Sequence, residues 1–190
     1  GTFASAPNWI VRNPNNSSEF FSLGTNGEVQ TATDGTGATW AVLGGNSTTS
    51  ASGNGLAIWN DYLFVARDAN LDTFGPLSSR TIVSITNASP GVVNFVAHGF
   101  SSQDGTAIIF STSGALPTGL VAGTVYYVGT VHNVDEFSVS ATQGGADINT
   151  SSAGSGTHKF RFWRSSTVPL TFKAIDSDVD WHPMWVSKND

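Results

Sequence analysis

The chain reads as an all-β protein, and three observations predict this. Short apolar runs with strand-like alternation recur along its length. The 21 glycines and 7 prolines fall mainly between those runs, at a spacing of about 8–12 residues that suits antiparallel strands joined by tight turns. No stretch of ten residues carries the 3.6-residue apolar period of a helix.

Taken in chain order, the first element is a hairpin. Phe20-Phe21-Ser22-Leu23 precedes Asn26-Gly27, a pair that accepts left-handed dihedrals, and Glu28-Val29-Gln30-Thr31 alternates after it. A second hairpin is predicted where Asn60-Asp61 separates Leu56-Ala57-Ile58-Trp59 from Tyr62-Leu63-Phe64-Val65. Trp40 in ATWAVL and Trp163 in RFWRSS each follow a Gly/Thr-rich turn. Each also precedes a further apolar strand, GLAIWNDYLFVAR in the first case and DWHPMWVSKND in the second. These read as two copies of one unit. The tryptophans stand 123 positions apart, or 43 once the 80 residues of 81–160 are set aside, near the ~40–50-residue period of propeller blades. The expected framework is therefore a propeller-like repeat region, with a jelly roll or sandwich as the alternative.

Residues 81–160 form the most specific block. In Leu116-Pro117-Thr118-Gly119, proline fixes φ and Gly119 accepts a positive φ, so a turn leads into the β-branched and aromatic run Thr124-Val125-Tyr126-Tyr127-Val128. Phe95, Ile108, Phe110, Val125, Tyr127, Val139 and Phe160 are expected to supply one buried face. His98 precedes a Gly-Phe turn with no acid or nucleophile at motif spacing, so its expected role is to stabilise that turn.

Four motifs of this block, AHGF (Ala97–Phe100), LPTGLVAGTVYYV (Leu116–Val128), DEFSVSAT (Asp135–Thr142) and AGSGTH (Ala153–His158), resemble a small all-β module that recurs in bacteriophage tail and tail-fibre proteins. The resemblance covers about two-fifths of the chain. It implies a barrel- or sandwich-like module used as a spacer or decoration on a virion. The domain organisation expected is a discontinuous β-repeat domain of residues 1–79 plus 161–190, with the module of 80–160 inserted at a loop near Ser79 and Arg80. Such insertions cost little because closure entropy grows slowly with loop length.

Composition narrows the function. With 190 residues, 39% apolar and 11% aromatic, the chain has ample material for a core. Charged residues make up only 12%, against about a quarter in ordinary soluble domains, and Ser, Thr, Asn and Gly take their place, as on many extracellular and virion β proteins. Eight basic against 14 acidic residues give a net charge of −6, which does not suit phosphate neutralisation, so nucleic acid is not an expected partner. Having no cysteine, the chain forms neither disulfides nor thiolate sites. No segment reaches the roughly eighteen apolar residues of a spanning helix, and the first thirty residues lack a signal-peptide pattern. Beginning at Gly1 and ending in Lys188-Asn189-Asp190, which resembles the turn of an unfinished hairpin, the sequence suggests a piece of a longer protein.

Several side-chain groups have chemical potential. Asp176, Asp178 and Asp180 alternate like the opening of a calcium loop. However, Trp181 stands where an EF-hand needs glycine, and no acid falls at the twelfth position. As a loop or strand face the three aspartates remain the candidate metal site. His98, His132, His158 and His182 lack zinc-ligand spacing, and no G-x-S-x-G elbow is present. Glu19, Glu28, Asp61, Asp68 and Asp72 supply acids for a glycoside hydrolase without fixing any pair. No cofactor is implied. All six tryptophans lie outside 81–160, and Trp9, Trp59, Trp181 and Trp185 are candidate platforms for sugar rings, the alternative being that each tryptophan fills a core.

The expected function is that of a non-catalytic virion structural protein in a phage tail, tail fibre or surface appendage, located on the virion surface or extracellularly. Its partners would be copies of itself and other virion proteins, with Phe3, Trp9 and Trp185 near intersubunit contacts. The alternatives are a carbohydrate-binding adhesin that recognises a host surface glycan, and a polysaccharide-degrading enzyme.

Overall fold

A computed structural model describes residues 3, 5–33, 39–45, 53–67 and 70–166. Among them every regular element is a strand. Strands β1 (Pro7–Arg12), β2 (Glu19–Gly24), β3 (Val29–Thr33) and β4 (Ala41–Val42) make a four-stranded antiparallel meander. The remaining strands are β5 (Gly53–Trp59), β6 (Tyr62–Arg67), β7 (Asn70–Thr81), β8 (Ser84–Ile85), β9 (Val93–Asn94), β10 (Ala107–Thr112), β11 (Val125–Asn133), β12 (Glu136–Ser140) and β13 (His158–Ser166). They form one antiparallel sheet in the order β5-β6-β7-β13-β10-β11-β12-β9-β8. With β5 and β8 left as edges, this sheet is not a closed barrel.

Local chemistry accounts for the hairpins. Asn60 and Asp61 both take positive φ, 47° and 69°, the requirement of a two-residue turn whose twist matches the flanking strands. Trp59 therefore pairs directly with Tyr62. Asp61 also anchors the irregular stretch of β7. Its carbonyl accepts the Leu77 amide at 2.7 Å, and its carboxylate accepts the Ser78 amide at 2.9 Å and the Ser78 hydroxyl. At the other predicted hairpin Gly27 takes φ 76° and β2 pairs with β3 from Leu23↔Val29 onward. The Leu116–Gly119 turn forms as expected, with the Leu120 amide donating to the Pro117 carbonyl at 3.0 Å and Gly119 at φ 106°.

Two cores result. The meander lays Phe21, Leu23 and Val29 against Leu63, Val65, Phe74 and Trp163 of the large sheet, so the two sheets stack as a sandwich. The second core is enclosed by β8 to β13, and Phe110, Phe137, Phe160, Ile108 and Val128 sit at its centre, each 0% exposed. Because all these strands direct one face to the same cluster, that half of the sheet curls around it. Thr81 pairs with Lys159, so the two ends of the excursion from β8 to β12 meet side by side while the sheet continues across them.

One expectation about faces needs correction. Val125 and Tyr127 were assigned to the same buried face as Ile108 and Phe110, yet they pack against the inter-sheet core, and Tyr126 and Val128 join Ile108 and Phe110 instead. Ile108 pairs with Tyr126, and opposed residues share a face. Both faces of β11 are covered, so a continuous apolar run hides its phase. Trp40 and Trp163 also differ in setting. Trp40 is half-buried before β4 and stacks on Phe3 at 4.7 Å, whereas Trp163 is buried in β13 and donates its indole N–H to the Gly44 carbonyl at 2.9 Å. The segment DWHPMWVSKND lies outside the described residues.

A buried ion pair closes the β6–β7 hairpin. Arg67 contacts Asp72 through Nη2 and Oδ2 and reaches the Gly27 carbonyl at 3.4 Å. Burial pushes the Arg67 guanidinium below its ordinary pKa, and the charge and hydrogen bond of Asp72 pull it back up.

Candidate ligand-binding cleft and exposed edge

Alternation along β13 sends Phe160, Phe162 and Arg164 to one face of the sheet and Arg161 and Trp163 to the other. On the first face Phe160 pairs with Arg80, Phe162 with Gly75 and Arg164 with Thr73, and Thr73 in turn pairs with Phe64. Over β10 to β12 that face is filled by the second core. Over β6 and β7 it opens into a cleft of about 420 Å³, floored by Tyr62, Phe64, Thr73 and Phe162 and walled by Phe95, Ala97, His98 and Gly99. This size falls among small-ligand sites, which span roughly 300–1,000 Å³.

The wall is held by His98, which is 6% exposed. Its Nδ1 accepts the Phe100 amide at 2.9 Å and its Nε2 lies 2.9 Å from the Asn133 carbonyl oxygen. In the neutral ring the N–H must therefore sit on Nε2. The imidazole stacks on Phe100 at 5.2 Å and meets the edge of Phe137 at 5.1 Å. Both nitrogens are engaged by backbone, which is the turn-stabilising arrangement expected from AHGF.

Two guanidinium groups border the cleft. Arg80 lies 5.6 Å from the Phe95 ring centre and Arg164 lies 5.1 Å from that of Phe162. Arg80 makes a long bond of 3.4 Å to the Tyr62 hydroxyl, and Arg164 one of 3.4 Å to the Gly99 carbonyl. Among the described residues no carboxylate lines this cleft, and neither arginine forms an ion pair. Sequence reading did not single out either residue. The signal was the phase of Phe160-Arg161-Phe162-Trp163-Arg164, which places the last arginine with the two phenylalanines.

Trp59 extends the same surface. It is 71% exposed, pairs with Tyr62 and stands 6.3 Å from the Phe64 ring. Trp9, 46% exposed, lies elsewhere, on β1, where Ile10 is 53% exposed. That strand pairs only with β2 among the described residues and lies beside β5 of the other sheet. Trp181 and Trp185 lie outside the described residues, as do Asp176, Asp178, Asp180, His182 and Asp68.

The acids considered for hydrolysis occupy separate structural settings. Glu19 accepts Arg161 at 2.6 and 3.1 Å and the Asn13 amide nitrogen at 2.6 Å. Asp61 holds Ser78, and Asp72 holds Arg67. Glu19 and Arg161 border a second cleft of about 530 Å³ at the seam of the two sheets. Of the histidines, His158 bonds Thr112 Oγ1 at 2.9 Å and His132 bonds Ser138 Oγ at 2.9 Å. Among the described residues no three metal-ligating side chains converge.

No protein-family model matches the chain, and no curated protein matches it by sequence. Among solved structures, the phage phi92 endosialidase is similar to it at 15% identity and a TM-score of 0.32, over 86% of this chain and 30% of that one. The chain thus spans about a third of the length of that structure.

Proposed function

We propose that the protein is a structural component of the surface of a bacteriophage particle, in a tail, tail fibre or related appendage, and works by assembly and display. The observation that carries this reading is the exposed apolar surface of β1. Four consecutive residues of this strand, Pro7 to Ile10, are exposed, and they include a tryptophan and an isoleucine whose side chains point to opposite faces. Pro7 and the irregular register between Pro7 and Trp9 blunt the start of this strand, which leaves Trp9 and Ile10 as its exposed apolar surface. An apolar surface of this kind suits a neighbouring copy or another virion protein. The tail-module motifs of residues 81–160 and the charge-poor Ser/Thr/Asn surface support the same setting.

Gel filtration with light scattering tests the proposal. The full chain should be an oligomer, and W9K/I10K should shift it toward monomer while keeping the circular dichroism spectrum and cooperative melt of a folded chain. A monomeric wild-type chain at high concentration would overturn assembly through β1.

A second reading, as a carbohydrate-binding module that recognises a host surface glycan, is favoured by the exposed Trp59 beside an aromatic cleft. Quenching of tryptophan fluorescence by a bacterial surface polysaccharide, lost in W59A, is the outcome expected on this reading.

A further inference from the structure

We infer that the cleft between β6, β7, β13 and the 95–99 loop takes an acidic saccharide, with Arg80 and Arg164 at its border each offering a site for a carboxylate borne on the sugars and Trp59 and Phe64 lying against a neighbouring ring. The inference rests on the carbohydrate-binding reading and names its ligand class.

Charge is the first part of the argument. The protein carries −6 overall with 8 basic residues, yet two of those eight border one small cleft that no described acid neutralises. Other arginines here are used differently. Arg161 is matched to Glu19 and Arg67 to Asp72, with short bonds and little exposure. Arg80 and Arg164 are exposed and, among the described residues, make only long neutral hydrogen bonds of 3.4 Å, so most of their N–H donors remain available there. A guanidinium offers a planar fork that fits a carboxylate at two points.

Pre-organisation is the second. Each guanidinium sits over a phenylalanine ring, an attraction that restricts where the charge can go. Phe95 is held edge-on by the buried Phe160 at 5.0 Å. The wall that includes Gly99 is fixed through both nitrogens of His98. Little ordering is left for the ligand to induce, which favours affinity in a shallow site.

Shape is the third. Trp59, Tyr62 and Phe64 continue the cleft as an exposed aromatic surface on the hairpin of β5 and β6, and aromatic faces suit the apolar C–H faces of pyranose rings. Anion and ring contacts side by side describe a charged sugar in a chain better than a free anion. Nucleic acid would need a run of basic side chains along its phosphates, whereas two arginines border this cleft.

The test uses the full chain on an array of bacterial capsular and O-antigen polysaccharides sorted as carboxylate-bearing, sulfated and neutral, with a single-stranded oligonucleotide as a further arm. A carboxylate-bearing glycan should bind, and chemical reduction of its carboxyl groups should abolish binding. R80A and R164A, with unchanged circular dichroism, should each weaken affinity roughly ten- to a hundredfold, the usual effect of losing a charged hydrogen bond. R164K should recover only part of the loss, because a lysine lacks the fork. Equal binding of the carboxyl-reduced glycan, or binding of neutral or sulfated glycans alone, would overturn this inference while leaving the carbohydrate-binding reading intact. Binding of the oligonucleotide alone, or of nothing on the array, would overturn both.

Discussion

Arg161 of β13 grips Glu19 of β2 at two points, 2.6 Å from Nη1 to Oε1 and 3.1 Å from Nη2 to Oε2, although 142 positions separate them. The same guanidinium donates to the Leu77 carbonyl at 2.6 Å and to the Ser79 hydroxyl at 3.1 Å. One side chain thus joins the meander, the irregular stretch of β7 and the centre of the large sheet. Arg161→Lys keeps the charge but cannot span these partners. It should cost about 1.5–3 kcal/mol, the range for hydrogen bonds to charged groups, and lower the melting temperature by several degrees. An unshifted thermal melt of R161K would show that the apolar inter-sheet core alone fixes the two layers.

The Arg67–Asp72 pair should respond differently because it is buried. Asp72→Asn leaves a guanidinium out of water without its counter-charge and should cost about 3–5 kcal/mol. Replacing both residues by apolar ones, Arg67→Met with Asp72→Leu, removes the two desolvation penalties together and should restore most of the loss. Urea unfolding of the single and double variants measures this. A double variant as unstable as the sum of the singles would place the cost in packing rather than charge.

These two pairs also mark where sequence reading stops. Short-range features are readable: the Asn60-Asp61 turn, the Asn26-Gly27 hairpin and the Pro117–Gly119 turn depend on residues close in sequence, as does the bond of His98 to the Phe100 amide, whereas its other partner, Asn133, lies 35 positions away. What was not readable depends on which strands become neighbours. Nothing in RFWRSS announces that Arg161 meets Glu19 while Arg164, three positions on, meets no acid among the described residues. The phase of β11 was misassigned because both of its faces are buried. Likewise the cleft exists only because β13 enters the sheet between β7 and β10, bringing Phe64 and Arg164 to opposite sides of Thr73. Trp59 is a candidate sugar platform by residue type alone, and its neighbours come only with the fold.

His98 makes a prediction about a proton. With Nδ1 accepting from the Phe100 amide, the neutral imidazole should be the Nε2–H tautomer, which long-range proton–nitrogen correlation spectra distinguish directly. A ring protonated on Nδ1 alone would contradict the hydrogen bonds described above. His98→Ala strands a backbone N–H and a carbonyl and should cost about 1–3 kcal/mol for each group that water does not reach. Because the ring also positions the wall of the cleft, ligand affinity should fall along with stability in this variant.

Phe160 provides the means to separate those two effects. Its ring is 0% exposed and lies 5.0 Å from Phe95, 6.3 Å from both Phe100 and Phe137 and 6.5 Å from Phe110, so it is the shared partner of the second core. Phe160→Ala should cost about 3–5 kcal/mol through lost burial and the cavity left behind, and Phe160→Leu less, since it refills part of the volume. Phe160 borders the cleft itself and touches two of its other residues, Phe95 edge-on and Phe162 at 6.0 Å. Phe160→Leu should therefore lower the unfolding midpoint while changing ligand affinity only as far as Phe95, Phe162 and the arginines over them shift with it. Arg80→Ala should do the reverse, weakening binding with the midpoint almost unchanged, because its side chain is exposed. If the two variants changed stability and binding in the same proportion, the cleft would be an extension of the core and not a surface built on top of it.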